Sequence, residues 1–247
     1  MEKKFALPFK KGSFKEFGVL MVLLGIVVVL SIITPSFLRP QNIINVIRQM
    51  TEIGIMAIGM TMVIICAEID LSVGSIYGAT AMIAALMIKS GISPALAFIG
   101  SFGGGALIGF VNGFLSTKAK MPAFIVTLGT MQIFRSIAYA VSGGKSIGAF
   151  SQESQASWVF GIGGNVGPIP VQIIIMIILY IITYIMMKKT RVGFNIYATG
   201  GNKRAASLAG INTDRMKIIS FVAMGVLSAF AGMVSIAYLK SVTTTTG

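Results

Sequence analysis

Glu68 and Asp70 are the carboxylates most open to a chemical reading, two residues apart in the run Glu68-Ile69-Asp70-Leu71-Ser72. A hydrolytic pair needs both groups turned on one substrate with a nucleophile or second base beside them. Spaced by two, these carboxylates diverge on a helix, and no such companion accompanies them. The run therefore reads as a break between two helices whose polar turn lines a cavity or binds a neighbouring helix end. An ordinary loop joining two membrane spans is the other reading. Gly143-Gly144-Lys145-Ser146 ends like a phosphate-binding loop, but the full pattern needs glycine where Tyr139 stands, and the segment falls outside the cell. The chain has no histidine and one cysteine, Cys66, which excludes the usual zinc sites and any disulfide within one chain. No metal site is expected.

Other polar groups sit inside apolar runs. Arg48 and Glu52 lie four apart on one helix face and can pair. Asn112, Thr127, Gln132 and Arg135, with Asp70 and Ser72, are candidates for a polar path through the protein, and interhelical hydrogen bonding is the alternative for each.

The elements that must carry these groups are membrane helices. Apolar residues make up 55% of the chain and charged residues 11%, a balance suited to lipid. The net charge of +13 does not point to nucleic acid, because the basic residues flank apolar runs and form no stripe with interleaved aromatics. About seven spans are predicted, over 18–33, 42–67, 73–88, 94–116, 122–141, 169–187 and 218–239, making an all-α, polytopic integral membrane helix bundle. Residues 36–41 form a short external turn. The basic start before the first run could suggest a signal peptide, but no cleavage-site pattern follows and more spans do. Fourteen of the twenty Lys and Arg fall in 1–17, 118–120 and 188–217. That asymmetry places these segments and the N-terminus in the cytoplasm, and the Gly/Ser-rich segment 142–168 outside with Trp158 at the membrane edge.

Small residues mark close packing. Gly105, Gly109 and Gly113 form two small-xxx-small pairs, and Gly100 with Gly104 forms another, which makes the fourth span a central helix. Gly225, Ala229 and Gly232 mark a second stripe on the seventh span.

Segment 188–217 holds seven basic residues and one acid, Asp214. Gly200 and Gly201 break the preceding helix, Asn202 caps a new one, and Gly210 suits the left-handed residue that closes it. Ala205, Leu208 and Ala209 share one face of that helix, with Lys203 and Ser207 off it. A helix about 10 Å long does not persist alone in water, so it packs on the spans, on a partner, or on both. Charge alone would make the segment only an orientation signal.

GMTMVIICAEIDLSVGSIYG (59–78), GFVNGFLSTKAKMPAFIVTLGTMQIFRSIAY (109–139) and RVGFNIYATGGNKRAASLAGINTDRMK (191–217) resemble the permease subunit of bacterial ABC importers for ribose and similar monosaccharides. The resemblance runs in order over nearly the whole chain. It implies a permease domain over 18–247 behind a cytoplasmic segment 1–17, in the bacterial inner membrane, working as a homo- or heterodimer with a second permease subunit. Its other partners would be membrane lipid, a cytoplasmic ABC ATPase and an extracytoplasmic sugar-binding protein. No cofactor is expected in this chain itself, with ATP and Mg on the partner ATPase, and the chain is not expected to be an enzyme. The coupling segment would comprise Gly200, Gly201, Asn202, Lys203, Arg204, Ala205, Ala206, Leu208 and Gly210. The family's loop usually has an acid at the position of Lys203 or Arg204, where this chain has two bases. Family members also continue past the position of Gly247, so the permease domain is expected to be incomplete at its C-terminus. The alternatives are an ion-coupled secondary transporter using Arg48, Glu52, Glu68 and Asp70, or a truncated membrane subunit that does not transport.

Overall fold

A computed structural model describes residues 13–243. Most of the N-terminal segment 1–17 and the last four residues lie outside that range. Seven helices of 17 to 27 residues dominate: α1 Ser13–Ile33, α2 Pro40–Ile65, α3 Val73–Lys89, α4 Pro94–Thr117, α5 Ala123–Ser142, α8 Val171–Lys189 and α11 Thr213–Leu239. Shorter helices lie between them: α6 Gln152–Gln155, α7 Trp158–Gly161, α9 Arg191–Gly201 and α10 Lys203–Leu208. Two-residue strands make two antiparallel pairs. β1 Ile147–Gly148 meets β4 Ser241–Val242, and β2 Asn165–Val166 meets β3 Ile169–Pro170.

Five of the helices are long and apolar enough to cross a membrane: α2, α4, α5, α8 and α11. Two more apolar helices, Phe17–Ile33 and α3, have 17 residues or fewer. At 1.5 Å per residue 17 residues rise about 25 Å, somewhat under the ~30 Å of a bilayer core. The chain is thus an all-α, multi-pass membrane protein.

The chain divides into two compact units, Met1–Val46 and Ile47–Gly247. In the first, α1 is joined to the start of α2 by a turn, and the Asn42 side chain donates to the Phe37 carbonyl at 2.8 Å. Pro40 opens α2, where its fixed φ and missing N–H suit the first turn. The expected external turn 36–41 therefore ends two residues early, because Pro40 and Gln41 are already helical.

In the second unit the central helices are α3 and α11. Ala81, Met82, Ala84 and Ala85 on α3, and Ala229, Ala231 and Met233 on α11, have no exposed surface. The fourth span, expected as a central and tightly packed helix, is close-packed against α11 on one side only. Helix α4 packs tightly on its glycine side, while Leu107 and Phe110 on its other side are 63% and 46% exposed. The small-residue contact is backbone against backbone. A Cβ added at Gly105 would lie 2.3 Å from the Gly225 carbonyl oxygen, and one at Gly109 2.2 Å from that of Phe221. At Gly113 it would come within 2.8 Å of the Ile218 Cα, and at Gly232 within 2.8 Å of the Tyr77 carbonyl oxygen. Gly100 and Gly104 meet only side-chain atoms at ordinary distances, so they take no part in this approach.

Segment 188–217 is helical over most of its length. Helix α8 runs on to Lys189, Thr190 caps α9 through Gly193 N–H at 3.3 Å, and Asn212 caps α11 through Arg215 N–H at 2.9 Å. The seventh span therefore starts five residues before the expected 218.

Candidate functional site

Helix α10 begins where the β-region conformation of Asn202 interrupts α9. Its side-chain oxygen accepts the Ala205 N–H at 2.9 Å, satisfying one of the donors a helix start leaves open. Gly210, at φ +82, closes the turn after Ala209 in the left-handed region. Burial on α10 differs from the expected face. Ala206 is the buried residue, whereas Ala205, Leu208 and Ala209 are exposed, Leu208 by 84%. Gly201, Lys203, Arg204 and Gly210 are exposed as well. Gly200 turns the other way, since a Cβ there would sit 1.6 Å from the Ile65 carbonyl oxygen at the end of α2. Behind α10, Ile196 of α9 packs fully buried with Met62, Cys66, Met187 and Met216. The helix is held by its cap and by buried Ala206, with its apolar face turned to solvent.

Charge ties α10 to neighbouring elements. Asp214 lies 3.4 Å from Lys203 and 3.4 Å from Lys118, joining α10, α11 and the end of α4. Glu68 pairs with Lys217, so the carboxylate after α2 grips the start of α11. Glu68 and Asp70 thus have separate partners and share no site.

Asp70 and Ser72 belong to a buried knot in the connection between α2 and α3. Asp70 Oδ1 accepts the Ser72 N–H at 2.8 Å and its hydroxyl at 2.5 Å, and Asn112 Nδ2 on α4 donates to Ser72 Oγ at 2.8 Å. Burial pushes the Asp70 carboxyl above the usual carboxylate range, against the pull of the Ser72 hydrogen bonds. The second oxygens, Asp70 Oδ2 and Asn112 Oδ1, are buried without a hydrogen-bond partner. These three residues therefore tie a connection to a helix.

On α5, Thr127 is fully buried and donates to the Ala123 carbonyl of its own helix at 2.8 Å. Gln132 and Arg135 are instead exposed, on a stripe with Leu128, Ser136 and Tyr139. Polar groups on the outside of a membrane helix need protein or water opposite them, not lipid.

Arg48 and Glu52 do not form the expected pair. Arg48 donates to Asn165 Oδ1 at 2.5 Å and lies 4.5 Å from the centre of the Tyr238 ring, while Glu52 accepts the Tyr77 hydroxyl at 2.5 Å. Each finds a partner on another element, and both lie in the opposite part of the bundle from Glu68 and Asp70. Gly143 and Gly144, with φ of +60 and +73, close helix α5 and lead into β1. A phosphate loop runs the other way, from strand into helix. Trp158 is 62% exposed and meets Phe98 edge-on at 5.5 Å. Among the described residues no three His, Cys, Asp or Glu side chains gather as a metal site would require.

The pair Glu68–Lys217 and the inward role of Gly200 escaped the sequence reading. Both depend on where α2 ends against α9 and α11, which no local pattern records.

Residues 42–247 match the family model described as branched-chain amino acid transport system / permease component. The chain is 39% identical over 236 residues to the ribose import permease protein of Bacillus subtilis (strain 168), covering 96% of this chain and 73% of the relative. It is 38% identical over 257 residues to the ribose import permease protein of Haemophilus influenzae, covering all of this chain and 77% of that one. The D-allose transport system permease protein of Escherichia coli (strain K12) is 34% identical over 241 residues, with 96% and 72% covered. No solved structure matches the chain.

Proposed function

The chain belongs to the branched-chain amino acid transport system / permease component family, and from that premise we propose that it carries a ribose-like monosaccharide across the bacterial inner membrane. It is a permease subunit of an ABC importer, a transport component and not itself an enzyme. Family membership brings an ATPase and a substrate-binding protein as partners.

The observation that carries the coupling part of the reading is α10. Its apolar face, Ala205, Leu208 and Ala209, lies open while its other side rests on Ala206. An ATPase that covers this face in one of its states and not in another would bias the permease between two conformations. ATP and Mg would act on that partner. A second permease subunit, of the same or another kind, would cover the polar stripe of α5, so that Gln132 and Arg135 line the sugar path between the two. On the reading that α1 and α3 also cross, making seven spans, the basic residues at one end of the bundle would put that end and the N-terminus in the cytoplasm.

Ala205→Glu and Leu208→Glu each place a charge on the open face of α10. Both should abolish co-purification with the ATPase while membrane insertion stays intact, and Ser207→Ala should leave it unchanged. Co-purification at the wild-type level in both charged variants would overturn the reading.

A further inference from the structure

The face of α8 away from the bundle is an uncovered stretch of isoleucine, with Ile177, Ile178, Ile181 and Ile185 each 48–52% exposed. On another side of α8, toward the end marked by Lys188, a groove of about 170 Å³ lies between α2, α8 and α9. Ile58, Thr61 and Ile65 form one wall, and Tyr180, Tyr184 and Tyr197 the other. The three tyrosine rings remain 44–64% exposed, so the groove opens sideways onto the region lipid occupies.

Its mouth is basic. The Lys188 ammonium stands 5.8 Å from the centre of the Tyr197 ring. Lys189 and Arg191 flank it, all three are exposed, and among the described residues none has a carboxylate within ion-pair distance. Along α8, an apolar slot walled on one side by tyrosines leads to unneutralised cations at the helix end. That is the order of acyl chain and anionic headgroup in a phospholipid.

We propose that this groove is a binding site for one anionic phospholipid. A length of one acyl chain lies against Ile58 and Ile65, and the phosphate is held by Lys188, Lys189 and Arg191. The volume is of the size that holds a small hydrocarbon in a protein cavity, about 150 Å³, so it takes part of one chain and leaves the second in the bilayer. Basic pockets between membrane helices at the cytoplasmic surface favour anionic headgroups. Tyrosine at that depth keeps its ring in the apolar layer and its hydroxyl in the polar one. A second copy of the chain fits the site less well, because it would cover the isoleucines and bring its own basic end against these three cations. The proposal rests on the membrane assignment and not on the transported solute.

Native mass spectrometry of the full chain, released from detergent with added palmitoyl-oleoyl phosphatidylglycerol or phosphatidylcholine, tests it. The wild type should retain one phosphatidylglycerol at least tenfold more tightly than phosphatidylcholine. K188Q/K189Q/R191Q should remove that preference, and Thr183→Phe, which fills the groove without changing charge, should weaken retention of both lipids. K120Q, a basic residue elsewhere at the same end, should behave as wild type. Equal retention of the two lipids by the wild type, or an undiminished preference in the triple variant, would overturn the site. Neither result touches ATPase association, so a failure here stands apart from a failure of the transport reading.

Discussion

Asp70, Ser72 and Asn112 join three polar side chains in a part of the protein without exposed surface, at 1%, 0% and 0%. A buried polar group left without its partner costs about 1–3 kcal/mol. Asn112→Leu removes the donor to Ser72 Oγ, so it should lower stability by roughly that amount, read as the unfolding midpoint in detergent. Because the residues form one network, Ser72→Ala combined with Asn112→Leu should cost less than the two single losses added together. Additive losses would show that they act independently. The sequence identifies each of these residues as polar in an apolar setting, but Ser72 and Asn112 are 40 residues apart, and spacing does not say that they meet. The same limit hides Glu68 and Lys217, 149 residues apart, whereas Arg48 and Glu52 satisfy the spacing rule for a helix pair and still take other partners. A local rule states which residues are within reach. Which partner wins is decided by elements packed from elsewhere.

Helices carry the next level of the argument. The backbones of α4 and α11 approach so closely that a Cβ at Gly225 would lie 2.0 Å from the Gly105 carbonyl oxygen. Gly225→Ala and Gly109→Ala must each force the helices apart, at a cost at or above the ~1–3 kcal/mol of an overpacked core. Gly103 and Gly129 have nothing within 4 Å of an added Cβ, so alanine there should keep or raise stability, by up to about 1 kcal/mol from helix propensity. Thermal unfolding of the four variants in one detergent checks the contrast, and four equal shifts would refute the close-contact account. Glycine spacing is readable because one residue type serves one physical purpose. The central position of α3 is not, since its alanines suit any well-packed helix. Segment 188–217 was readable at its caps, where Asn202 and Gly210 have conformational reasons to be there. The burial of Ala206 in place of Leu208 was not, because on so short a helix a small rotation changes which face meets the bundle.

At the scale of the whole molecule, the basic end is where separate elements are fastened together. Asp214 reaches both Lys118 and Lys203, and Glu68 reaches Lys217, so α4, α10, α11 and the exit from α2 share one charged region. The exposed pairs contribute at most about 1 kcal/mol each; what they supply is position, holding α10 where an outside partner can reach it. The opposite end is closed differently. There β1 pairs with β4, Phe150 meets Phe160 at a tilt with ring centres 5.4 Å apart, and Arg48 holds Asn165. An importer needs this asymmetry only if the two ends face opposite sides of the membrane, and that can be measured directly. The single native cysteine, Cys66, is 1% exposed and can be replaced by serine. In that background Leu208→Cys should react with a membrane-impermeant maleimide only in inside-out vesicles, and Ser151→Cys only in right-side-out ones. Labelling of both from the same side would place α10 and the 147–166 segment on one surface. The bundle would then lack the two-sided layout on which coupling through α10 depends.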